Sequence, residues 1–249
     1  MKIIAIIPAR YQSTRFPGKP LALIAGRPMI EHVYERSARS GALQRVVVAT
    51  DDDRVARAVD SFGGEFVFTR ADHLSGTDRI AEAARILQLD ESDIIVNVQG
   101  DEPLVSGKMI EVLVGALKNS NGAAMATLAF PSESLEGYQD PHVVKVVVAM
   151  DGRALYFSRS PLPFMRDPGN ASISYLKHLG FYAYGNAFLQ TFTQLPEGRL
   201  EAMEKLEQLR ALEHGHPIVV AISPQDTHGV DTPEDLARIE RRWKELGGE

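Results

Sequence analysis

The chain has 249 residues, 44% of them hydrophobic and 24% charged, enough for a full buried core in a globular protein. A net charge of −6 argues against a general nucleic-acid surface, and the lack of cysteine excludes disulfides, thiolate metal sites and a cysteine nucleophile. The amino-terminal apolar run is too short for a signal h-region or a membrane span, so a soluble, cytoplasmic protein is expected.

The first element is Lys2-Ile-Ile-Ala-Ile-Ile7, a continuous apolar run ended by Pro8, which reads as a buried parallel strand. The loop after it brings Arg10, Arg15 and Lys19 close together in sequence. Cations at the carboxyl end of a first strand stand where open α/β sheets bind ligands, and in an acidic chain they focus a local field on an anion. The expectation is a polyphosphate cradle, against the plainer alternative of a solvated basic loop. It is not a Walker A loop, because Ser13 takes the place of its first glycine and Pro20 that of the magnesium-binding Ser or Thr. The glycine-rich dinucleotide fingerprint is absent too.

Helical spacing of apolar residues follows over Met29–Ala38, then a strand at Arg45–Ala49 and a second helix over Val55–Phe62. Asp51, Asp52 and Asp53 are read as capping that second helix. Arg70 to Arg79 is a polar loop opening onto a helix at Ile80–Leu89. Its Ser75, Gly76 and Thr77 offer donors and hydroxyls to a base or ribose, and serve equally well as capping residues. A strand at Asp93–Val98 runs into Asn97-Val-Gln-Gly-Asp-Glu-Pro103, placing Gln99 and Asp101 at another strand's carboxyl end. Asp101 is either a Mg²⁺ ligand or a turn aspartate.

After a helix over Met109–Leu117, the alternation loosens between Pro131 and about Pro196, where prolines and aromatics crowd around a strand at His142–Ala149. This stretch, 131–196, is expected to be an insertion in a single domain spanning 1–249. Its aromatics could line an acceptor pocket, form a subunit interface or build a second small core. A helix over Leu200–Leu212, a strand at Pro217–Ile222 and a last helix begun by Asp231-Thr-Pro-Glu-Asp235 complete the chain. Asp231 is a second candidate metal carboxylate and, equally, an ordinary helix-start residue. The histidines show no zinc spacing, and only His178, among the aromatics, is singled out. Strand–helix alternation implies an α/β fold with a doubly wound, mostly parallel sheet.

Ile7-Pro-Ala-Arg-Tyr-Gln-Ser-Thr-Arg-Phe-Pro-Gly-Lys-Pro-Leu21 resembles the signature of the CMP-sugar-acid synthetases, most closely the 3-deoxy-manno-octulosonate (Kdo) cytidylyltransferase, or CMP-Kdo synthetase, family. The blocks at Arg70–Arg79, Asn97–Pro103, Ala154–Arg159, Lys177–Tyr182, Leu206–Arg210 and Gly229–Asp235 are similar in the same order, so the resemblance covers nearly the whole chain. Phe16 stands where leucine is common, and Pro163–Tyr175 matches only loosely.

The resemblance implies a nucleotide-diphospho-sugar transferase-like fold and Mg²⁺-dependent transfer of CMP from CTP to the anomeric hydroxyl of Kdo, with pyrophosphate released, in lipopolysaccharide biosynthesis. It implies CTP binding by Ala9, Arg10, Ser13, Arg15, Lys19, Ser75, Gly76 and Arg79, with Lys19, Arg10 and Asp101 catalytic and Asp101 and Asp231 holding the metal. The acceptor contacts it implies are Gln99, Arg159, His178, Tyr182, Glu204 and Gln208, with Arg166 added from the loosely matched segment. It also implies a homodimer formed through the inserted region. The 8-amino analogue of Kdo or another keto-acid sugar is the alternative acceptor. A catalytically silent nucleotide sensor is the alternative class, opposed by the presence of Lys19 and Asp101.

Overall fold

A computed structural model describes residues 1–12, 16–166 and 173–245. In chain order the elements are β1 (Ile3–Pro8), β2 (Leu23–Ile24), β3 (Arg27–Pro28), α1 (Met29–Ala38), β4 (Arg45–Thr50), α2 (Asp53–Ser61), β5 (Glu65–Phe68), α3 (Gly76–Ile86), β6 (Ile94–Asn97) and α4 (Gly107–Asn119). The chain continues through β7 (Met125–Ser132), α5 (Leu135–Gln139), β8 (Lys145–Val148), β9 (Ala154–Ser158), β10 (Tyr175–Gly185) and α6 (Asn186–Phe192). It ends with α7 (Arg199–Glu204), α8 (Gln208–Glu213), β11 (Ile218–Ile222) and α9 (Pro233–Glu245). Two compact units result: Met1–Glu111 with Thr227–Glu249, and Val112–Asp226. Among the described residues no helix is long and apolar enough to cross a membrane.

In the first unit β1 lies between β6 and β4, with β5 beyond β4, all paired in parallel, while the short β2 and β3 form a separate antiparallel pair. All of Ile3 to Ile7 are buried, which explains why the strand has no polar alternation: both its faces are covered. Three of its helices, α2, α3 and α9, start on side-chain caps that the sequence supplies. Asp52 accepts from Arg54 N at the head of α2, and Ser75 accepts from Asp78 N at the head of α3. Thr232 and Asp235 cap α9 reciprocally. That helix seats Ile239 and Trp243 against Ile24, Met29, Leu104 and Val230.

In the second unit β7 pairs in parallel with β11 and antiparallel with β10; β10 pairs antiparallel with β8, and β8 with β9. The expected parallel strands therefore fill the first unit, and antiparallel ones dominate where the strand–helix rhythm loosens. The β7–β10 register shifts between His178 and Tyr182, at Gly180, whose φ of 72° suits glycine. Of the three roles open to the aromatics, a second core accounts for most: Tyr138, Phe157, Tyr175, Phe181, Tyr182, Tyr184 and Phe192 are all buried.

The helix expected over 200–212 is two helices. Lys205 adopts a left-handed conformation, φ 52°, that ends α7. A two-pronged ion pair from Arg210 Nε and Nη2 to the Glu201 carboxylate, at 2.8 and 2.6 Å, ties α8 back to α7 across the break.

Candidate functional site

The carboxyl ends of β1 and β6 open into a pocket of about 270 Å³ within the first unit. Pro8, Ala9 and Arg10 continue β1 into it, Lys19 and Pro20 come from the next loop, and Gln99, Gly100 and Asp101 follow β6. His73, Leu74, Ser75, Gly76 and Arg79 contribute from the head of α3, and Asp231 from the approach to α9. The close approach of the β1 and β6 ends depends on Gly100, because a Cβ there would stand 2.8 Å from the Pro8 carbonyl oxygen.

Lys19 is the electrostatic centre. Its Nζ donates to Asp101 Oδ2 at 2.6 Å and to Asp231 Oδ1 at 3.1 Å. Burial by itself lowers the pKa of the ammonium, but the charges and hydrogen bonds of Asp101 and Asp231 outweigh it and raise the pKa above its ordinary value. Among the described residues no group of three or more His, Cys, Asp or Glu is placed to hold a metal ion. Two carboxylates suffice for Mg²⁺, which takes one or two from protein and completes its shell with substrate phosphates and water. Asp101 and Asp231 fit that pattern, since both already converge on a single cation, the Lys19 ammonium.

Nine of the expected residues thus line one pocket: Ala9, Arg10, Lys19, Ser75, Gly76, Arg79, Gln99, Asp101 and Asp231. Ser13 and Arg15 lie outside the described residues. Arg79 is almost wholly buried, with Nη1 donating to Thr69 Oγ1 at 2.6 Å and 3.4 Å from Asp51 Oδ1. The aspartate run divides its labour: Asp52 caps α2 as expected, and Asp51 pairs with Arg79.

The other expected residues belong to the second unit. Glu204 accepts from Ser158 Oγ and from Arg159 N, which anchors it to the end of β9. Arg159 donates to the carbonyls of Glu204, Pro141 and Lys205 at 2.7, 2.9 and 3.5 Å, so three of its five N–H groups face backbone. Gln208 is buried, and its Nε2 has no hydrogen-bond partner among the described residues. Arg166 is exposed.

His178 and Tyr182 stand with ring centroids 5.5 Å apart. The single proton of the Thr127 hydroxyl goes to the Phe181 carbonyl, so His178 Nε2, 2.9 Å away, must be the protonated nitrogen that donates to Thr127. Burial pushes the pKa of His178 down to about 3 and that of Tyr182 well above the usual tyrosine value, leaving both rings neutral.

Two residues escaped the sequence. His73 lines the pocket and bonds Glu82 through Nε2; with no metal spacing around it, its only signal was membership of the Ser75 loop. Lys145 is fully buried and donates to the carbonyls of Val143, Arg159 and Asp140 at 2.6, 2.7 and 2.9 Å, clamping the turn that leads out of β9.

A parallel α/β unit whose strand-end pocket gathers cations and two aspartates suits a nucleotidyltransferase, and a family model described as cytidylyltransferase matches residues 4–220. The chain belongs to the cytidylyltransferase family. It is 66% identical over 239 residues to the 3-deoxy-manno-octulosonate cytidylyltransferase of Syntrophobacter fumaroxidans, covering 96% of each chain. It is 51% identical over 243 residues to the 8-amino-3,8-dideoxy-manno-octulosonate cytidylyltransferase of Shewanella putrefaciens, covering 97% of this chain and 98% of that one. A solved structure of CMP:2-keto-3-deoxy-manno-octonic acid synthetase complexed with CTP superposes with a TM-score of 0.92, at 43% identity, over 99% of this chain and 100% of the other.

Proposed function

We propose that this chain transfers CMP from CTP to the anomeric hydroxyl of Kdo and releases pyrophosphate, supplying CMP-Kdo to lipopolysaccharide biosynthesis in the cytoplasm. The observation that carries the reading is the convergence of Arg10, Lys19, Asp101 and Asp231 on one pocket in a chain of this family. The Kdo enzyme of S. fumaroxidans, at 66% identity, favours Kdo as the acceptor over its 8-amino analogue.

Arg10 and Lys19, with Arg15, supply positive charge to the triphosphate. Ala9, Ser75 and Gly76 seat the nucleoside, and Ser13 and Arg79 also serve CTP binding. The acceptor oxygen attacks the α-phosphorus and the bond to the pyrophosphate oxygen breaks. Charge then grows on phosphate oxygens within reach of the Lys19 ammonium, where a cation in a partly buried site lowers the barrier most. Asp101 and Asp231 are the residues that would hold Mg²⁺, which would supply Lewis-acid stabilisation of phosphate oxygens. Gln99, Arg159, Arg166, His178, Tyr182, Glu204 and Gln208 receive the sugar acid. Arg159 suits its carboxylate, and the buried Nε2 of Gln208 suits a sugar oxygen.

The active species is a homodimer. An apolar groove in the second unit supports this, lined by Leu135, Tyr138, Pro161, Phe164, Met165 and Ile173, with Phe164 82% exposed. The test of the activity is pyrophosphate release from CTP and Mg²⁺ with Kdo and 8-amino-Kdo in parallel. Release with Kdo is expected. Release with the amino sugar alone would change the acceptor, and no release with either would remove the transferase reading.

A further inference from the structure

Lys19 touches the same two carboxylates that the cytidylyltransferase reading gives to a divalent ion, with Nζ 2.6 Å from Asp101 Oδ2 and 3.1 Å from Asp231 Oδ1. Magnesium binds carboxylate oxygens at about 2.0–2.1 Å, so an ion on that oxygen of Asp101 would stand no more than about 5 Å from the ammonium. The Lys19 side chain is only 15% exposed, and water screens the repulsion between the two cations poorly at such a site. Of the three groups Lys19 is also the one built to move, because its ammonium rides on a flexible four-carbon stem.

We propose that Lys19 is a place-holder for the divalent cation. It bridges Asp101 and Asp231 until a nucleoside triphosphate draws its ammonium onto phosphate oxygens, and the carboxylate pair accepts the metal only then. Nucleotide and metal therefore enter as one event, and the protein alone is a poor metal binder even though it carries both carboxylates.

The inference rests on the cytidylyltransferase reading for its metal and its nucleotide, but its test needs no turnover. Manganese serves as the probe, with the free ion read by electron paramagnetic resonance. Without nucleotide, Lys19→Met is expected to bind Mn²⁺ at least tenfold more tightly than the unaltered protein. Adding Asp101→Asn to that variant is expected to return the affinity to the weak level. Lys19→Gln gives the same comparison should the methionine variant fold poorly. Equal Mn²⁺ affinity with and without the Lys19 charge would overturn the place-holder role, and so would tight binding that survives Asp101→Asn. These outcomes stand apart from the activity: a chain that released no pyrophosphate with any sugar acid could still show the tenfold gain, and an active one could fail to.

Discussion

At residue 19 one ammonium serves two carboxylates, 82 and 212 positions further along the chain. On the proposed mechanism, Lys19→Ala removes the charge that meets the growing negative charge of the reaction, and Asp101→Asn removes half of the carboxylate pair. Each is expected to lower turnover roughly 10²-fold or more with the circular dichroism spectrum unchanged. Steady-state pyrophosphate release checks this, and near-normal rates in either variant would take that residue out of the mechanism.

His178 makes a prediction of a different kind. In the unfolded chain its imidazole takes a proton near the ordinary value of 6.5, whereas in the folded chain it does so only at about 3. Between those values the unfolded state binds the extra proton, so stability is lost as pH falls from about 6.5 towards 3 and is unaffected above that window. His178→Asn is expected to flatten this acid limb in urea-unfolding free energies measured across the range, and an unchanged slope would contradict the buried neutral histidine.

Elements hold these residues in place, and their end residues can be tested singly. Ser75 caps α3 by accepting from Asp78 N, so Ser75→Ala is expected to cost about 1 kcal/mol of stability by urea titration. A Cβ at Gly100 would meet the Pro8 carbonyl, so Gly100→Ala should cost about 1–3 kcal/mol and weaken CTP binding by parting the ends of β1 and β6. Calorimetric titration with CTP reads the second effect.

The sequence disclosed β1 and the pocket loops because their signals are local. A strand covered on both faces is apolar throughout, and Arg10, Gln99 and Asp101 lie within four residues of a strand's carboxyl end. β7 went unread because Met125-Ala-Thr-Leu-Ala-Phe130 is rich in alanine, which carries little strand preference. The break at Lys205 was hidden because the apolar spacing runs through it without interruption. The division of Asp51 from Asp52 was equally hidden, since only the folded chain brings Arg79 to one and the head of α2 to the other. The resemblance to a known family supplied most acceptor residues; spacing alone had marked only Gln99 and His178.

For the whole molecule, the apolar groove around Phe164 sets the expected assembly. Phe164→Asp places a charge on that surface and is expected to convert a sedimenting dimer to monomers, whereas a monomeric unaltered protein would refute the homodimer.

The first unit is completed by residues 227–245, and the partner that Asp231 offers to Lys19 arrives 212 residues after it. Synthesis at about 5–20 residues per second puts roughly 10–40 s between them. Through that interval a nascent chain carries the cationic loop, and later Asp101, without the second carboxylate. A ribosome-bound chain stopped before Thr227 can present charge to a triphosphate, but it lacks the pair that would hold its metal. Competence thus waits until residues 227–245 have been made.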